Sequence, residues 1–184
     1  MAENETDGAL VKTAANGDRN AFTTLVERYA GPMGALAYDR LGSVADAQDA
    51  VQDTFVTAFE RLGTLRDADR FAAWAYEILR NHCALRLRRR GLERRHWEGL
   101  FGRYAGTVTF TPLDRLAAEE RDVRLRAAVA ELSAPLREAV AVRYMGGAGR
   151  REAAAILGLS QDAFDKRIER ALRELRARLE PDRE

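Results

Sequence analysis

The sequence predicts an all-α protein built from two small helical domains. Three observations support this prediction. Apolar residues recur with the i, i+3, i+4 and i+7 spacing of amphipathic helices along almost every long segment, and only residues 107–111 have strand-like composition. Glycines and a proline interrupt this pattern between Gly91 and Pro112. Beyond the interruption, a short helical segment, a glycine and a longer helical segment follow in the layout of a helix-turn-helix.

The interruption sets the expected domain boundaries. We expect an N-terminal domain over residues 1–90, an interdomain linker over 91–112 and a C-terminal domain over 113–184. Within the linker, three aromatic residues keep helical spacing: Trp97, Phe101 and Tyr104. Either a short helix packed on a neighbouring domain or a contact with a partner protein explains their spacing.

Four helices are predicted in the N-terminal domain. The first apolar stripe covers residues 22–29 and is closed by Gly31 and Pro32, and a second helix then runs over 33–42. A third helix is predicted over 44–62 and a fourth over 70–90. The buried side of the fourth should include Phe71, Trp74, Ile78 and Leu85.

Four more helices are predicted after the linker, over residues 113–132, 136–145, 150–157 and 160–179. The last two form the predicted helix-turn-helix. Ala154 is small enough for a close helix crossing, Gly158 permits the turn, and Ser160 can cap the second helix.

The predicted third helix has two opposite faces when its residues are placed about 100° apart. One arc should be buried and contains Val51, Phe55, Ala58, Phe59 and Leu62. The opposite arc is a row of carboxylates, here named the acidic ridge: Asp46, Asp49, Asp53 and Glu60. Such a stripe is either an ordinary solvated face or a surface that docks a basic partner. Acid–base chemistry would require a cleft that shifts the pKa values, and the sequence does not indicate one.

The end of the fourth helix is strongly basic in an otherwise balanced chain. Residues 80–95 carry seven arginines against one acid, whereas the whole chain has 30 basic and 29 acidic residues. Trp74 and Tyr76 lie just upstream, and Asn81 lies at the start of this basic stretch. Aromatic residues beside arginines are typical of a site for single-stranded or melted DNA. The competing interpretation places Trp74 and Phe71 in the hydrophobic core.

The second helix of the predicted helix-turn-helix has the pattern of a recognition helix. Its buried side should contain Phe164, Ile168, Ala171, Leu172, Leu175 and Leu179. Lys166, Arg170 and Arg173 lie on the opposite side, with Arg167 on the flank, where basic residues reach DNA phosphates. Helix–glycine–helix patterns also occur in bundles that do not bind DNA. The carboxylates of Asp162 and Asp165 disfavour phosphates, although an acid can accept a hydrogen bond from cytosine.

Several other classes of function are disfavoured. Cys83 has only His82 and His96 as further soft ligands, too few for a zinc site. Cys83 and His82 face different sides of a helix, which disfavours a nucleophile–base pair. We therefore expect no enzyme, metal or cofactor. The chain has neither a membrane-length apolar stretch nor the residue order of a secretory signal, so we expect a cytoplasmic protein without membrane insertion.

Four strings in one order resemble the extracytoplasmic-function (ECF) sigma factors of bacterial RNA polymerase. LVKTAANGDRNAFTTLVERYAGPM is similar to the opening helices of that family, and DAQDAVQDTFVTAFERL is similar to its polymerase-docking segment. RFAAWAYEILRNHCALRLRRR resembles the segment that melts DNA and binds the minus-ten element. AELSAPLREAVAVRYMGGAGRREAAAILGLSQDAFDKRIERALRELR resembles the domain that reads the minus thirty-five element.

The resemblance implies three groups of binding residues. The first group meets the clamp of core RNA polymerase: Asp46, Asp49, Gln52, Asp53, Phe55 and Glu60. The second binds minus-ten DNA, with the loop 65–70 holding an unstacked base: Arg66, Asp67, Asp69, Arg70, Trp74, Tyr76, Asn81, Arg86, Arg88, Arg89 and Arg90. The third binds minus thirty-five DNA: Arg150, Arg151, Ser160, Gln161, Asp162, Ala163, Lys166, Arg167 and Arg170.

The resemblance also implies a wider assembly. The linker would cross the polymerase toward its RNA exit path, and an anti-sigma protein would restrain activity. Two departures from the family pattern affect these expectations. Leu85 stands where an acidic residue is common, and the run from Asp162 to Asp165 replaces the usual glycine, hydroxyl and basic residues. The alternative function is a helix-turn-helix regulator that binds duplex DNA without joining polymerase.

Overall fold

The computed structural model describes residues 5–98 and 124–179, with the backbone alone over 92–98. Every regular element in these two ranges is helical, which confirms the predicted fold class. The strand-like stretch 107–111 and the linker aromatics Phe101 and Tyr104 lie outside the described residues. No helix in the described part of the chain is both long and apolar enough to cross a membrane.

Four helices form the N-terminal part: α1 Asp7–Ala15, α2 Arg19–Leu41, α3 Val44–Arg61 and α4 Phe71–Glu98. Polar side chains cap the starts of α2 and α3. Asp18 accepts hydrogen bonds from the backbone N–H groups of Asn20 and Ala21, and Ser43 accepts one from that of Asp46. Gly42 ends α2 with a φ of 64°, the left-handed conformation that glycine adopts at little cost.

The helix break predicted at Gly31 and Pro32 is wrong, because α2 continues through both residues. Proline inside a helix removes one backbone hydrogen bond and crowds the preceding turn. Pro32 is nevertheless buried, and the apolar residues on both sides of it pack into one core: Phe22, Leu25, Tyr29, Met33, Leu36 and Leu41. Burial of one continuous apolar face therefore outweighs the local preference for a break.

The fourth helix differs from its prediction in length and in buried face. It continues through Gly91 to Glu98, past the predicted end at residue 90. Phe71 is buried as predicted and Trp74 and Ile78 are half-buried, but Leu85 is 45% exposed. Ala75, Leu79 and Cys83 complete the buried face instead. The apolar pattern of α4 is weak, and contacts from α2, α3 and a C-terminal helix select the face that is buried.

Helices also make up the C-terminal part. Residues 124–130 belong to α5, followed by α6 Ala134–Val140, a π-helical turn Ala141–Met145, α7 Arg150–Ile156 and α8 Gln161–Leu179. These agree with the predicted helices over 136–145, 150–157 and 160–179 to within a few residues. In the predicted helix 113–132, the described residues 124–130 are helical.

One hydrophobic core joins residues from before and after the segment 99–123. Tyr29, Phe71 and Met33 of the N-terminal part lie in the same cluster as Ile156 and Phe164. A second, smaller cluster holds α5, α6 and α8 together through Ala128, Leu132, Leu136, Val140, Ala171 and Leu175. The N-terminal and C-terminal parts are therefore packed against each other.

Candidate nucleic-acid and protein interfaces

The acidic ridge on α3 lies against the arginines of α4. Arg86 donates to Asp53 Oδ2 at 2.6 Å, and Arg90 forms an ion pair with Asp46. Arg90 also donates to the carbonyl of Leu41 at 2.8 Å, which ties α4 to the end of α2. The carboxylates and the arginines thus meet along one seam instead of forming two separate surfaces. The sequence pattern did not predict this pairing, since it depends on how α3 and α4 pack.

Other ridge residues remain open to solvent. Asp49, Gln52 and Glu60 are exposed, and Asp49 has no ion-pair partner among the described residues. Phe55, grouped with them as a polymerase contact, is buried in the core at 7% exposure. Glu60 likewise has no ion-pair partner among the described residues, so Asp49 and Glu60 are the ridge carboxylates most available to a basic partner.

An apolar groove runs between α2 and α3, with a volume of about 870 Å³. Val44, Val56 and Phe59 of α3 line it and are respectively 61%, 52% and 45% exposed. Phe59 was expected in the core, so that expectation is wrong. Helical periodicity places Phe59 near the buried arc but cannot show that α2 leaves this side of α3 uncovered. Gln52 and Glu60 also line the groove, so it adjoins the polar residues predicted to contact polymerase.

The loop predicted to hold a minus-ten base consists of two short 3₁₀ turns, Leu62–Thr64 and Ala68–Arg70, joined by 65–67. Arg66, Asp67, Asp69 and Arg70 are all exposed. Asp67 Oδ1 accepts a hydrogen bond from the backbone N–H of Asp69 at 3.1 Å, which fixes the second turn. Asp67 therefore stabilises the backbone conformation of the loop.

The predicted DNA-binding residues of α4 divide into exposed and covered groups. Asn81, Arg88 and Arg89 are exposed. Trp74 is half-buried, with its ring centroid 6.1 Å from that of Phe71. Tyr76 is buried, its hydroxyl oxygen accepts a hydrogen bond from Arg40 at 3.3 Å, and burial raises the pKa of the phenol. In this arrangement the Tyr76 ring is not accessible to DNA.

The helix-turn-helix has the geometry predicted from its residues. Gly158 has a φ of 65° in the turn, and Ser160 Oγ accepts from the backbone N–H of Ala163 at 3.2 Å. Phe164 is 1% exposed and anchors α8 in the core. The predicted DNA-facing residues are exposed, except that Arg167 is half-buried: Arg150, Arg151, Ser160, Gln161, Asp162, Ala163, Lys166, Arg167 and Arg170.

Asp165 and Arg150 join the two helices of this motif. Arg150 Nε donates to Asp165 Oδ1 at 3.0 Å, and Nη2 binds the other carboxylate oxygen, so the pair is bidentate. The hydrogen bond with Asp165 raises the pKa of Arg150. An arginine predicted to contact DNA is therefore neutralised by Asp165, a pairing that the sequence pattern did not predict.

The side chains considered for catalysis are not arranged for it. Cys83 is fully buried, and burial raises the pKa of its thiol. His82 Nε2 lies 3.1 Å from Thr57 Oγ1 on α3. The described residues contain no group of three or more His, Cys, Asp or Glu side chains placed to hold a metal ion.

Two regions of the chain match known family models. Residues 25–93 match the family model described as sigma-70 region 2, and residues 122–175 match the one described as sigma-70 region 4. The chain is 33% identical to the RNA polymerase sigma factor CnrH of Cupriavidus metallidurans over 100% of both chains. It is also 33% identical to the ECF RNA polymerase sigma factor BldN of Streptomyces coelicolor, over 94% of this chain and 65% of that one.

Two solved structures resemble this chain over most of its length. CnrH in complex with the cytosolic domain of CnrY matches with a TM-score of 0.61 and 32% identity, over 97% of this chain and 99% of that one. The sigma factor RpoE in complex with the anti-sigma factor NepR from Bartonella quintana matches with a TM-score of 0.52 and 26% identity, over 88% and 98%.

Proposed function

Because this chain belongs to the ECF family of sigma-70 type RNA polymerase sigma factors, which are non-enzymatic transcription initiation factors, we propose which of its parts bind core polymerase and which bind the two promoter elements. The domain over 1–90 docks on core polymerase and binds the minus-ten element. The linker over 91–112 crosses the polymerase toward the RNA exit path. The domain over 113–184 binds the minus thirty-five element through its helix-turn-helix.

Polymerase docking is assigned to α3. The observation that carries this assignment is a pair of exposed carboxylates without ion-pair partners in the described ranges, Asp49 and Glu60, on a helix that also lines an exposed apolar groove. Protein interfaces commonly combine an apolar surface, which contributes affinity, with charged residues, which orient the partner. The ion-paired Asp46 and Asp53 then support the surface by holding α3 against α4.

DNA binding is assigned to two exposed basic surfaces. On α4, Arg88 and Arg89 are positioned to hold phosphates of the opened strand, while the loop 65–70 takes an unstacked base. On α8, Lys166 and Arg170 face solvent on the side opposite to Phe164 and are placed to reach phosphates in duplex DNA.

Regulation by an anti-sigma factor is part of the proposal. CnrH and RpoE, which this chain resembles over most of its length, were solved in complex with the cytosolic domain of CnrY and with the anti-sigma factor NepR. We assign an inhibitor of the same kind to this chain. The chain would act in the cytoplasm, where polymerase and promoter DNA are found.

Transcription with purified core polymerase tests the docking assignment. Asp49→Arg should lower both core binding and promoter-dependent transcription at least tenfold, because it reverses the charge of an exposed docking residue. Glu27→Arg makes the same charge change on an exposed position of α2 outside the proposed surfaces and should leave both intact.

Two results would contradict the proposal. Equal transcription by Asp49→Arg and Glu27→Arg would remove α3 as the docking surface. Sequence-specific binding to duplex DNA by a chain that never associates with core polymerase would favour a helix-turn-helix regulator instead.

A further inference from the structure

The two acids near the start of α8 have different surroundings in the structure. Asp165 Oδ1 accepts a hydrogen bond from Arg150 Nε at 3.0 Å, and its other carboxylate oxygen is bound by Nη2 of the same arginine. Asp162 is exposed, and its side chain forms no ion pair or hydrogen bond with any residue that the structure describes. Asp162 is therefore the acid at this helix start whose carboxylate is open to a ligand.

Two cations lie near Asp162 without pairing with it. Lys166 follows one turn later on α8, at the i+4 spacing that permits an ion pair, yet these two described side chains form none. The hydrogen bond with Asp165 and, to a smaller extent, the charge of Asp162 raise the pKa of Arg150, whose hydrogen bonds go to Asp165. A carboxylate without its own cation is unfavourable beside DNA phosphates unless a donor on the DNA offsets the repulsion.

The position of Asp162 on α8 favours contact with bases. Asp162 lies in the first turn of the helix, where the side chains of a recognition helix reach base edges. Lys166 and Arg170 follow at the i+4 and i+8 positions of the same face, which is opposite to the buried Phe164. In this arrangement the later cations are placed for phosphates, whereas the Asp162 carboxylate is placed for a base.

The hydrogen-bonding pattern of the major groove determines which base suits a carboxylate. Only the N4 amino group of cytosine and the N6 amino group of adenine donate hydrogen bonds there. The adenine amino group lies beside the N7 acceptor, so an amide, which both donates and accepts, is complementary to adenine. An ionised carboxylate only accepts, and N7 would repel it. A carboxylate is therefore complementary to cytosine.

We propose that Asp162 selects a G·C base pair at one position of the minus thirty-five element by accepting a hydrogen bond from the N4 amino group of its cytosine. This inference rests on the proposed function, because it assumes that α8 binds minus thirty-five DNA. Asp165 does not take this role, since Arg150 binds both of its carboxylate oxygens. The departure from the family pattern at Asp162 then changes which promoter sequence the chain selects.

Selection from a promoter library tests this assignment. Core polymerase carrying each form of the chain binds fragments with a randomised minus thirty-five region, and sequencing of the bound fragments gives the base preference at each position. Asp162→Asn should replace a cytosine preference at one position with an adenine preference of about tenfold, because an amide accepts from N6 and donates to N7. Glu169→Gln makes the same acid-to-amide change at an exposed position two turns later and should leave every base preference unchanged.

Removal of one amino group from the DNA tests the contact itself. The selected cytosine is replaced by 2-pyrimidinone, which lacks the exocyclic amino group. This replacement should weaken promoter binding by the unmodified chain with core polymerase about tenfold, the usual size of one base-specific contact. Asp162→Ala should lose less than about twofold, because it has no acceptor for that amino group. Glu169→Gln should lose as much as the unmodified chain.

A purely structural role for Asp162 gives different results. An acid in the first turn interacts favourably with the helix dipole, so loss of this effect alone would make Asp162→Asn easier to unfold in urea and weaken binding to all promoter sequences equally. That result would overturn the inference. Equal losses from 2-pyrimidinone in the unmodified chain and in Asp162→Ala would also overturn it. Absence of promoter-dependent transcription by the unmodified chain would instead overturn the proposed function.

Discussion

The effect of Asp165 on DNA binding depends on which side chain lies next to it in the fold. Near DNA phosphates an unpaired carboxylate is unfavourable, and the sequence alone therefore counts Asp165 against DNA binding. In the structure, Asp165 binds Arg150 in a bidentate ion pair. The acid thereby occupies an arginine that would otherwise be available to a phosphate, whereas Lys166 on the same helix has no ion-pair partner in the described ranges.

Removing Asp165 and removing Lys166 should change the salt dependence of promoter binding in opposite directions. Asp165→Ala releases Arg150 and should steepen the slope of log affinity against log salt by about one unit, whereas Lys166→Ala should make it shallower by about one unit. The slopes are measured with reconstituted polymerase on a promoter fragment. Glu169→Ala removes an exposed acid of α8 and should leave the slope unchanged. An unchanged slope for Asp165→Ala would mean that Arg150 does not reach DNA.

Local and tertiary forces act differently on the helix boundaries. At Ser160 the local signal is sufficient, because its hydroxyl satisfies a backbone N–H that has no partner within the helix. At Pro32 the local signal fails, because the buried apolar residues on both sides of the proline favour one continuous helix. Caps are therefore predictable from a few adjacent residues, whereas a proline inside a buried helix is not.

The cap of the recognition helix should contribute measurably to stability. Ser160→Ala is expected to lower the free energy of unfolding by about 1 kcal/mol, the usual loss when a capping hydroxyl is removed. Ser133→Ala is the control, because Ser133 precedes α6 without a side-chain capping hydrogen bond, so its loss should be only a few tenths of a kcal/mol. Urea denaturation of both variants measures the difference, and equal losses would exclude a stabilising cap at Ser160.

The whole molecule depends on how closely its two parts approach. The contact between Gly146 and Pro32 is a contact between backbones, so neither side can adjust by rotating a side chain. The ion pairs of the acidic ridge also depend on close packing, here within the N-terminal part. Asp46 and Asp53 pair with arginines of α4 only when α3 and α4 lie side by side. Both features join segments that are distant in sequence.

Gly146→Ala should therefore destabilise the packing of the C-terminal part against α2. Its new Cβ would meet the Pro32 backbone at 2.6 Å, and overpacking of this kind typically costs about 1–3 kcal/mol. Gly34→Ala is the matched control, because it lies in α2 with open space around a new Cβ and gains helix propensity. Urea unfolding compares the two. If Gly146→Ala were as stable as Gly34→Ala, the two parts would not be packed in solution as the structure has them.

The sequence by itself determined the all-helical fold, the helix-turn-helix with its Gly158 turn and Ser160 cap, and the family of the chain. These depend on residues close together in sequence, whose periodicity, capping and turn preferences act locally. The tertiary structure decided that α2 continues through Pro32, that Phe59 lies open in a groove, and that Asp46, Asp53 and Asp165 are ion-paired. It also brought Asp39 to Arg137. Such features depend on which helix faces meet, and residues far apart in sequence meet only after the core has selected its buried faces.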